Sequence, residues 1–196
     1  MHIALVLAAG ISSRYGSDKR LSSPEHLTKP LLLQTLESVK PHYDMLFVIQ
    51  NAQDQHIAKL LGNQDVFVLT APSSPIGLGH SIAAGVQQIQ KLLPATSVQT
   101  LTLLLADMPF IQPSTMVKLK QFAKPNRIIR PSYQGQPGHP VCFGVDYIDD
   151  LSNLTYPLGA KPIIEQHKQN LVEIKVNDVG VIKDIDTPAD WLTSQQ

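Results

Sequence analysis

Short unbroken apolar runs recur along the chain, each followed by a polar, turn-rich stretch. Ile3-Ala4-Leu5-Val6-Leu7, Leu46-Phe47-Val48-Ile49, Val66-Phe67-Val68-Leu69 and the run from Leu101 to Ala106 are of this kind. Such runs read as strands, the first of them as a strand of a buried parallel sheet. Between them the period changes. Leu32, Leu36 and Val39 share one face of a helix from Pro30 to about Val39, and Asp54 is placed to cap a short helix ending at Leu61. Ile82, Val86, Ile89 and Leu93 mark a helix over 81–93, and Met116, Leu119 and Ala123 mark another after Pro113. Strands that alternate with helices predict an α/β fold, a Rossmann-like, mainly parallel sheet with helices on both faces.

The second half is less regular. Ile128-Ile129 and the stretch 141–145 read as strands. In 171–176, Val172, Ile174 and Val176 alternate with Glu173 and Lys175, which predicts a strand with one face in water near a sheet edge. A helix is expected over 160–167. The last helix is expected to start with Thr187 at its cap, Pro188 at the first position and Asp190 at the third, a capping-box-like opening. No internal repeat, low-complexity segment or linker interrupts the pattern, so the span 1–196 reads as a single domain.

Composition acts mainly by exclusion. Sixteen Lys and Arg balance sixteen Asp and Glu, so there is no basic field to attract nucleic acid. No apolar run approaches the roughly twenty residues of a membrane span. The single cysteine, Cys142, rules out an internal disulfide framework and, within an apolar stretch, reads as a buried structural thiol. The chain opens directly into a strand with no signal-type segment. These features predict a soluble cytoplasmic protein with neither nucleic acid nor membrane as partner. The histidines never pair at H-x-x-H or H-E-x-x-H spacing, which argues against zinc.

Candidate chemistry begins where the first strand ends. Ala8-Ala9-Gly10 is followed by Ser12, Ser13, Arg14, Gly16 and Lys19. Small residues let backbone N–H groups approach a polyphosphate, and the two cations supply charge. Neither G-x-x-x-x-G-K-[ST] nor G-x-G-x-x-G is present. Asp107-Met108-Pro109 follows the fourth strand, at the sheet edge where ligands of parallel sheets collect. A carboxylate there suits Mg²⁺ shared with substrate phosphates, or else forms or caps a turn.

The pattern L-A-A-G-x-S-x-R-x-G-x-x-K resembles the N-terminal signature of the nucleotidyltransferases that include molybdenum-cofactor cytidylyltransferase and molybdopterin guanylyltransferase. Four further segments resemble the same family in the same order. Gly79-His80-Ser81-Ile82-Ala83-Ala84-Gly85 is similar to its G-x-S-L-x-x-G, and Leu105-Ala106-Asp107-Met108-Pro109 to its L-x-D-M-P. Gly138-His139-Pro140-Val141 matches G-H-P-V, and Asp184-Ile185-Asp186-Thr187-Pro188-Ala189-Asp190 matches D-I-D-T-P-x-D. The resemblance spans residues 3 to 190.

It implies a GT-A-like nucleotidyltransferase that moves NMP from an NTP to a phosphorylated acceptor, with molybdopterin the leading candidate, and releases pyrophosphate. Arg14 and Lys19 would bind the triphosphate, and Asp107 would ligate Mg²⁺ with Asp186 as second carboxylate. Leu7, Ala8, Ala9, Gly10, Ser12, Ser13 and the Gly79-His80-Ser81 turn would contact the nucleotide. His139 and Lys161 would contact the acceptor, while Asp184 and Asp190 read as loop and cap residues. A-A-G in place of A-G-G favours CTP over GTP. A molybdoenzyme or its maturation chaperone is the implied protein partner. The chemistry needs positioning and charge neutralisation, not a nucleophilic triad, and no G-x-S-x-G elbow is present.

The chain departs from its relatives at Tyr156-Pro157-Leu158-Gly159-Ala160-Lys161, where they carry G-D-x-G-A-R. Ser22-Ser23-Pro24-Glu25-His26 also interrupts an apolar segment that they keep. Two alternatives stand beside the transferase: a nucleotide-binding oxidoreductase of the same fold, opposed by the missing G-x-G-x-x-G, and a non-catalytic nucleotide-binding partner in molybdoenzyme maturation, motivated by Pro157.

Overall fold

The computed structural model describes residues 1–10, 15, 17–23, 29–73, 77–155 and 157–193. In chain order the first half comprises β1 (His2–Leu7), α1 (Leu31–Val39), β2 (Met45–Asn51), α2 (Gln55–Leu61), β3 (Phe67–Ala71), α3 (Leu78–Leu92) and β4 (Thr100–Leu105). The second half comprises α4 (Pro113–Phe122), β5 (Ile128–Tyr133), β6 (Gln136–Pro137), β7 (Val141–Gly144), α5 (Ile148–Ser152), α6 (Lys161–Gln166), β8 (Leu171–Lys175) and α7 (Asp190–Thr193).

The eight strands form one mixed, mostly parallel sheet in the order β3-β2-β1-β4-β7-β5-β6, with β8 also on β5. β1 lies at the centre of a parallel block, between β2 and β4. Its unbroken apolar run is explained by burial on both faces. Ile3, Leu5 and Leu7 join Ile82, Val86 and Ile89 of α3 in one core layer. Ala4, Val6 and Ala8 join Leu32 and Leu36 of α1 and Met116 and Leu119 of α4 in the other. α3 lies close on the sheet: a Cβ at Gly85 would stand 2.8 Å from a Leu5 methyl, so glycine sets the helix–sheet distance.

Beyond β4 the sheet turns antiparallel through β7 and β5. The hairpin from β5 to β6 turns at Gln134 and Gly135, both with positive φ (49° and 84°), as a two-residue hairpin of matching twist requires. This hairpin and α5 are absent from the sequence reading because neither is long enough to show a period. β8 behaves as expected, with Ile174 buried and Glu173 and Lys175 exposed on a strand that pairs only with β5. Cys142 is buried on β7, and burial raises its thiol pKa, as expected of a structural thiol. Among the described residues, no helix is long and apolar enough to cross a membrane.

The turn after β8 is held by Asp178, which is only 2% exposed. Its carboxylate accepts from the Gln112 N–H (2.9 Å), the Thr115 hydroxyl (2.6 Å) and the Gly180 N–H (3.0 Å), joining this turn to the start of α4. Asp178→Ala would leave the buried Thr115 and Gly180 donors unpaired, at a cost of about 2–4 kcal/mol. Urea unfolding should show a correspondingly lower midpoint. An unchanged midpoint would mean that the turn holds itself.

Candidate functional site

A cleft of about 220 Å³ opens at the carboxyl ends of the parallel strands, where loops on either side of the sheet part company. Leu7, Ala9 and Gly10 reach it from the end of β1, and Asn51 from the end of β2. Asp107 enters from the end of β4, and Ser81 from the first turn of α3. Ala8 points the other way, contrary to expectation. It is 1% exposed in the α1–α4 layer, because alternation along the strand places it with Ala4 and Val6. α3 begins at Leu78, earlier than the periodicity indicated, which buries Gly79 and leaves His80 off the cleft wall. Ser12, Ser13, Arg14 and Gly16 lie outside the described residues.

Asp107, which lines this cleft, is joined through Lys19 to Asp186. The Lys19 ammonium stands 2.8 Å from Asp107 Oδ2 and 2.8 Å from Asp186 Oδ1. Burial by itself lowers the Lys19 pKa, but hydrogen bonds and charge from both carboxylates outweigh it and hold the group above its ordinary value. The loop bearing Asp186 is fixed from both sides. The Ile185 N–H donates to the Asp107 carbonyl (3.0 Å), and Ile185 packs with Leu31 and Trp191. The Asp190 carboxylate accepts from the N–H groups of Asp186 (2.9 Å) and Thr187 (2.6 Å). Asp190 is therefore a cap residue, as expected, although α7 itself begins only at Asp190.

Asp184 does more than the loop role read from the sequence. One carboxylate oxygen each of Asp107, Asp184 and Asp186 lies within 4.8 Å of the others. Burial, and then the charges of Asp107 and Asp186, push the Asp184 pKa up. Lys19 offsets only part of this crowded negative charge. Asp107 Oδ1 is buried and has no hydrogen-bond partner among the described residues. An orphaned carboxylate oxygen within an acidic group fits a hard divalent cation, which takes oxygen ligands.

Arg20, one residue beyond Lys19, went unnoticed in the sequence. It is buried, and its guanidinium donates to both carboxylate oxygens of Asp18 (2.8 and 2.7 Å), to Asp54 (2.6 Å) and to the Ala8 carbonyl. Contrary to expectation, the Asp54 side chain does not cap α2; it serves this ion pair instead. A charged partner outcompetes a neutral N–H for a half-buried carboxylate. Arg20 thereby ties the loop bearing Lys19 to the ends of β1 and β2. Asp18, two positions before it, was the available signal; its second partner, Asp54, lies 34 positions away.

A second cleft, of about 240 Å³, shares Leu7 and Leu78 with the first and extends over β4, β7 and β5. His139 and Lys161, the expected acceptor residues, both line it. The His139 N–H donates to the Val181 carbonyl (2.7 Å). Burial pushes the His139 imidazole below its usual pKa, the Asp107 charge opposing this and the Arg130 charge adding to it. Pro157 packs against the start of α3. Its carbonyl accepts from the Leu78 N–H at 3.1 Å, and a Cβ on Gly77 would lie 2.8 Å from its Cα. A backbone carbonyl thus serves the first turn of α3.

A family described as MobA-like NTP transferase domain matches residues 4–171. The chain belongs to the MobA-like NTP transferases. No protein of curated function matches its sequence. Among solved structures, this transferase is similar to a nucleotidyl transferase from Methanothermobacter, with 18% identity, 98% of this chain and 95% of that one covered, and a TM-score of 0.80. It is also similar to Rv0371c of Mycobacterium tuberculosis H37Rv in complex with manganese (20% identity, 98% and 97% covered, TM-score 0.74). Molybdopterin-guanine dinucleotide biosynthesis protein A from Archaeoglobus fulgidus shares the fold as well (18% identity, 99% and 96% covered, TM-score 0.67). In this MobA-like transferase the first cleft, with Asp107 in its wall, lies at the carboxyl ends of β1, β2 and β4.

Proposed function

We propose that this MobA-like NTP transferase is a divalent-metal-dependent nucleotidyltransferase. It transfers NMP from an NTP, CTP in preference to GTP, to a phosphorylated acceptor, molybdopterin being the first candidate. The observation that carries this reading is the Lys19–Asp107–Asp186 cluster, which reaches the first cleft through Asp107, with Asp107 Oδ1 left without a partner among the described residues. A relative of the same fold has been crystallised with manganese.

The roles follow from position. The nucleotide lies in the first cleft, its phosphates near Ala9 and Gly10, where the lack of bulk admits a backbone approach. Lys19 turns from its carboxylates to the triphosphate and neutralises charge there. Asp107 and Asp186, with Asp184, would hold a Mg²⁺, which when bound supplies charge stabilisation at the phosphates. The acceptor occupies the second cleft with its phosphate oxygen facing the α-phosphorus. That oxygen forms the new P–O bond, the bond from the α-phosphorus to the bridging oxygen breaks, and pyrophosphate leaves with the electron pair. No protein nucleophile is required, and Cys142 lies buried within the sheet. The A-A-G sequence at the end of β1 supports the CTP preference.

Calorimetry with CTP, GTP and ATP, each with Mg²⁺, tests the reading. CTP is expected to bind most tightly. Failure of every triphosphate to bind would overturn the proposal, whereas a preference for GTP would overturn the base alone. Pyrophosphate release across candidate acceptors then identifies the acceptor.

A further inference from the structure

Among the described residues, the wall of the second cleft holds two charged side chains, Arg130 and Lys161, both cationic, and no carboxylate. Lys161 is exposed, with its side chain 73% accessible. Arg130 is different. It projects from the interior of β5, its side chain is 22% accessible, and its Nη2 donates to Glu173 on the neighbouring strand β8. Its Nε is buried and meets no acceptor among the described residues. The same holds for Nδ1 of His139 in the same wall. Buried donors left unpaired are costly, and a guanidinium fork is shaped for a planar or tetrahedral oxyanion. The rest of the wall is apolar, including Ile82, Val141 and Ile164.

We infer that Arg130 is the specificity-determining residue of the acceptor cleft, and that it recognises a phosphate monoester on a small molecule whose apolar body lies against Ile82 and Ile164. The inference rests on the transferase reading for its place in the reaction, but not for the binding itself. In the resting protein the fork is only half engaged. Glu173, 43% accessible, is a partner of the kind that contributes little to stability. Turning the fork from Glu173 toward an oxyanion therefore sacrifices a weak pair and satisfies a buried donor. His139, whose buried Nδ1 meets no partner among the described residues, adds further hydrogen-bonding capacity in the same wall.

Phenyl phosphate is the probe, titrated calorimetrically into the full chain, with benzoate as the carboxylate control and CTP–Mg²⁺ titrated separately. Wild type should bind phenyl phosphate and not benzoate. Arg130→Met should bind it about tenfold or more weakly, the loss of a charge-assisted pair, with CTP–Mg²⁺ affinity unchanged. Glu173→Gln should bind phenyl phosphate more tightly, because the fork is released. If the Arg130–Glu173 pair merely held β5 to β8, both substitutions would weaken binding. Weakened or unchanged binding in Glu173→Gln therefore overturns the inference, even where Arg130→Met fails to fold. So does undiminished binding in a folded Arg130→Met, equal binding of benzoate, or no binding by wild type. Phenyl phosphate binding that responds to both variants as expected, without any CTP binding, would leave the anion site standing and sink the transferase reading.

Discussion

Asp107→Ala is expected to lower metal-dependent nucleotidyl transfer by on the order of a thousandfold while leaving the protein folded. The carboxylate lies in the cleft wall and not in either core layer; its described side-chain partner is Lys19, and one of its oxygens has none. The contact that anchors the following loop, Ile185 N–H to the Asp107 carbonyl, belongs to the backbone and survives the substitution. Asp107→Asn keeps the shape and loses the charge, so it should fail nearly as badly. Lys19→Ala should behave differently, weakening triphosphate binding while metal dependence persists. Pyrophosphate release measured against Mg²⁺ concentration, together with a thermal melt, separates these outcomes. If Asp107→Ala unfolds the protein or retains full metal-dependent turnover, the carboxylate is structural and the cation belongs elsewhere.

Arg20→Met is expected to cost about 3 kcal/mol of stability at neutral pH, the scale of removing one partner from a buried ion pair. The guanidinium is 9% accessible, and its partners Asp18 and Asp54 are 31% and 23% accessible, so solvent screens the group only weakly. The substitution would also orphan the Ala8 carbonyl. The pH dependence has a definite sign. Burial raises the Asp18 pKa, but the hydrogen bonds and charge from Arg20 outweigh it and hold the carboxyl below its ordinary value. The folded state therefore binds this proton less readily than the unfolded chain. The stability that Asp18 contributes is present above the ordinary carboxylate pKa, near pH 4, and is lost as pH falls through the lower folded value. Arg20→Met should remove that acid-side slope as well as the stability. Urea midpoints between pH 7 and pH 3 measure both. Equal midpoints at pH 7 would show that the network is dispensable.

Much of this molecule is legible in its sequence because the information is local. β1, β2 and β4 announce themselves because burial on both faces demands unbroken apolar runs. α3 and α4 do so because one buried face imposes a helical period. Gly10 and Asp107 could be chosen because strand ends in a parallel sheet meet at one edge, so residues just past those ends share a cleft wherever the strands fall in order. Tertiary structure alone decided what depends on partners distant in the chain. Strand order is not written in any strand, so the antiparallel insertion of β7 between β4 and β5 was invisible. Asp54 reads as a helix cap until Arg20, folded against the ends of two strands, claims its carboxylate. Asp184 reads as a loop residue until Asp107 comes within reach of it. Arg130 reads as an ordinary charge near a strand until β8 supplies Glu173 and β7 brings up His139. In each case an isolated side chain has several satisfactory local fates, and the low dielectric and close packing of the folded interior select one by fixing which opposite charge stands nearest.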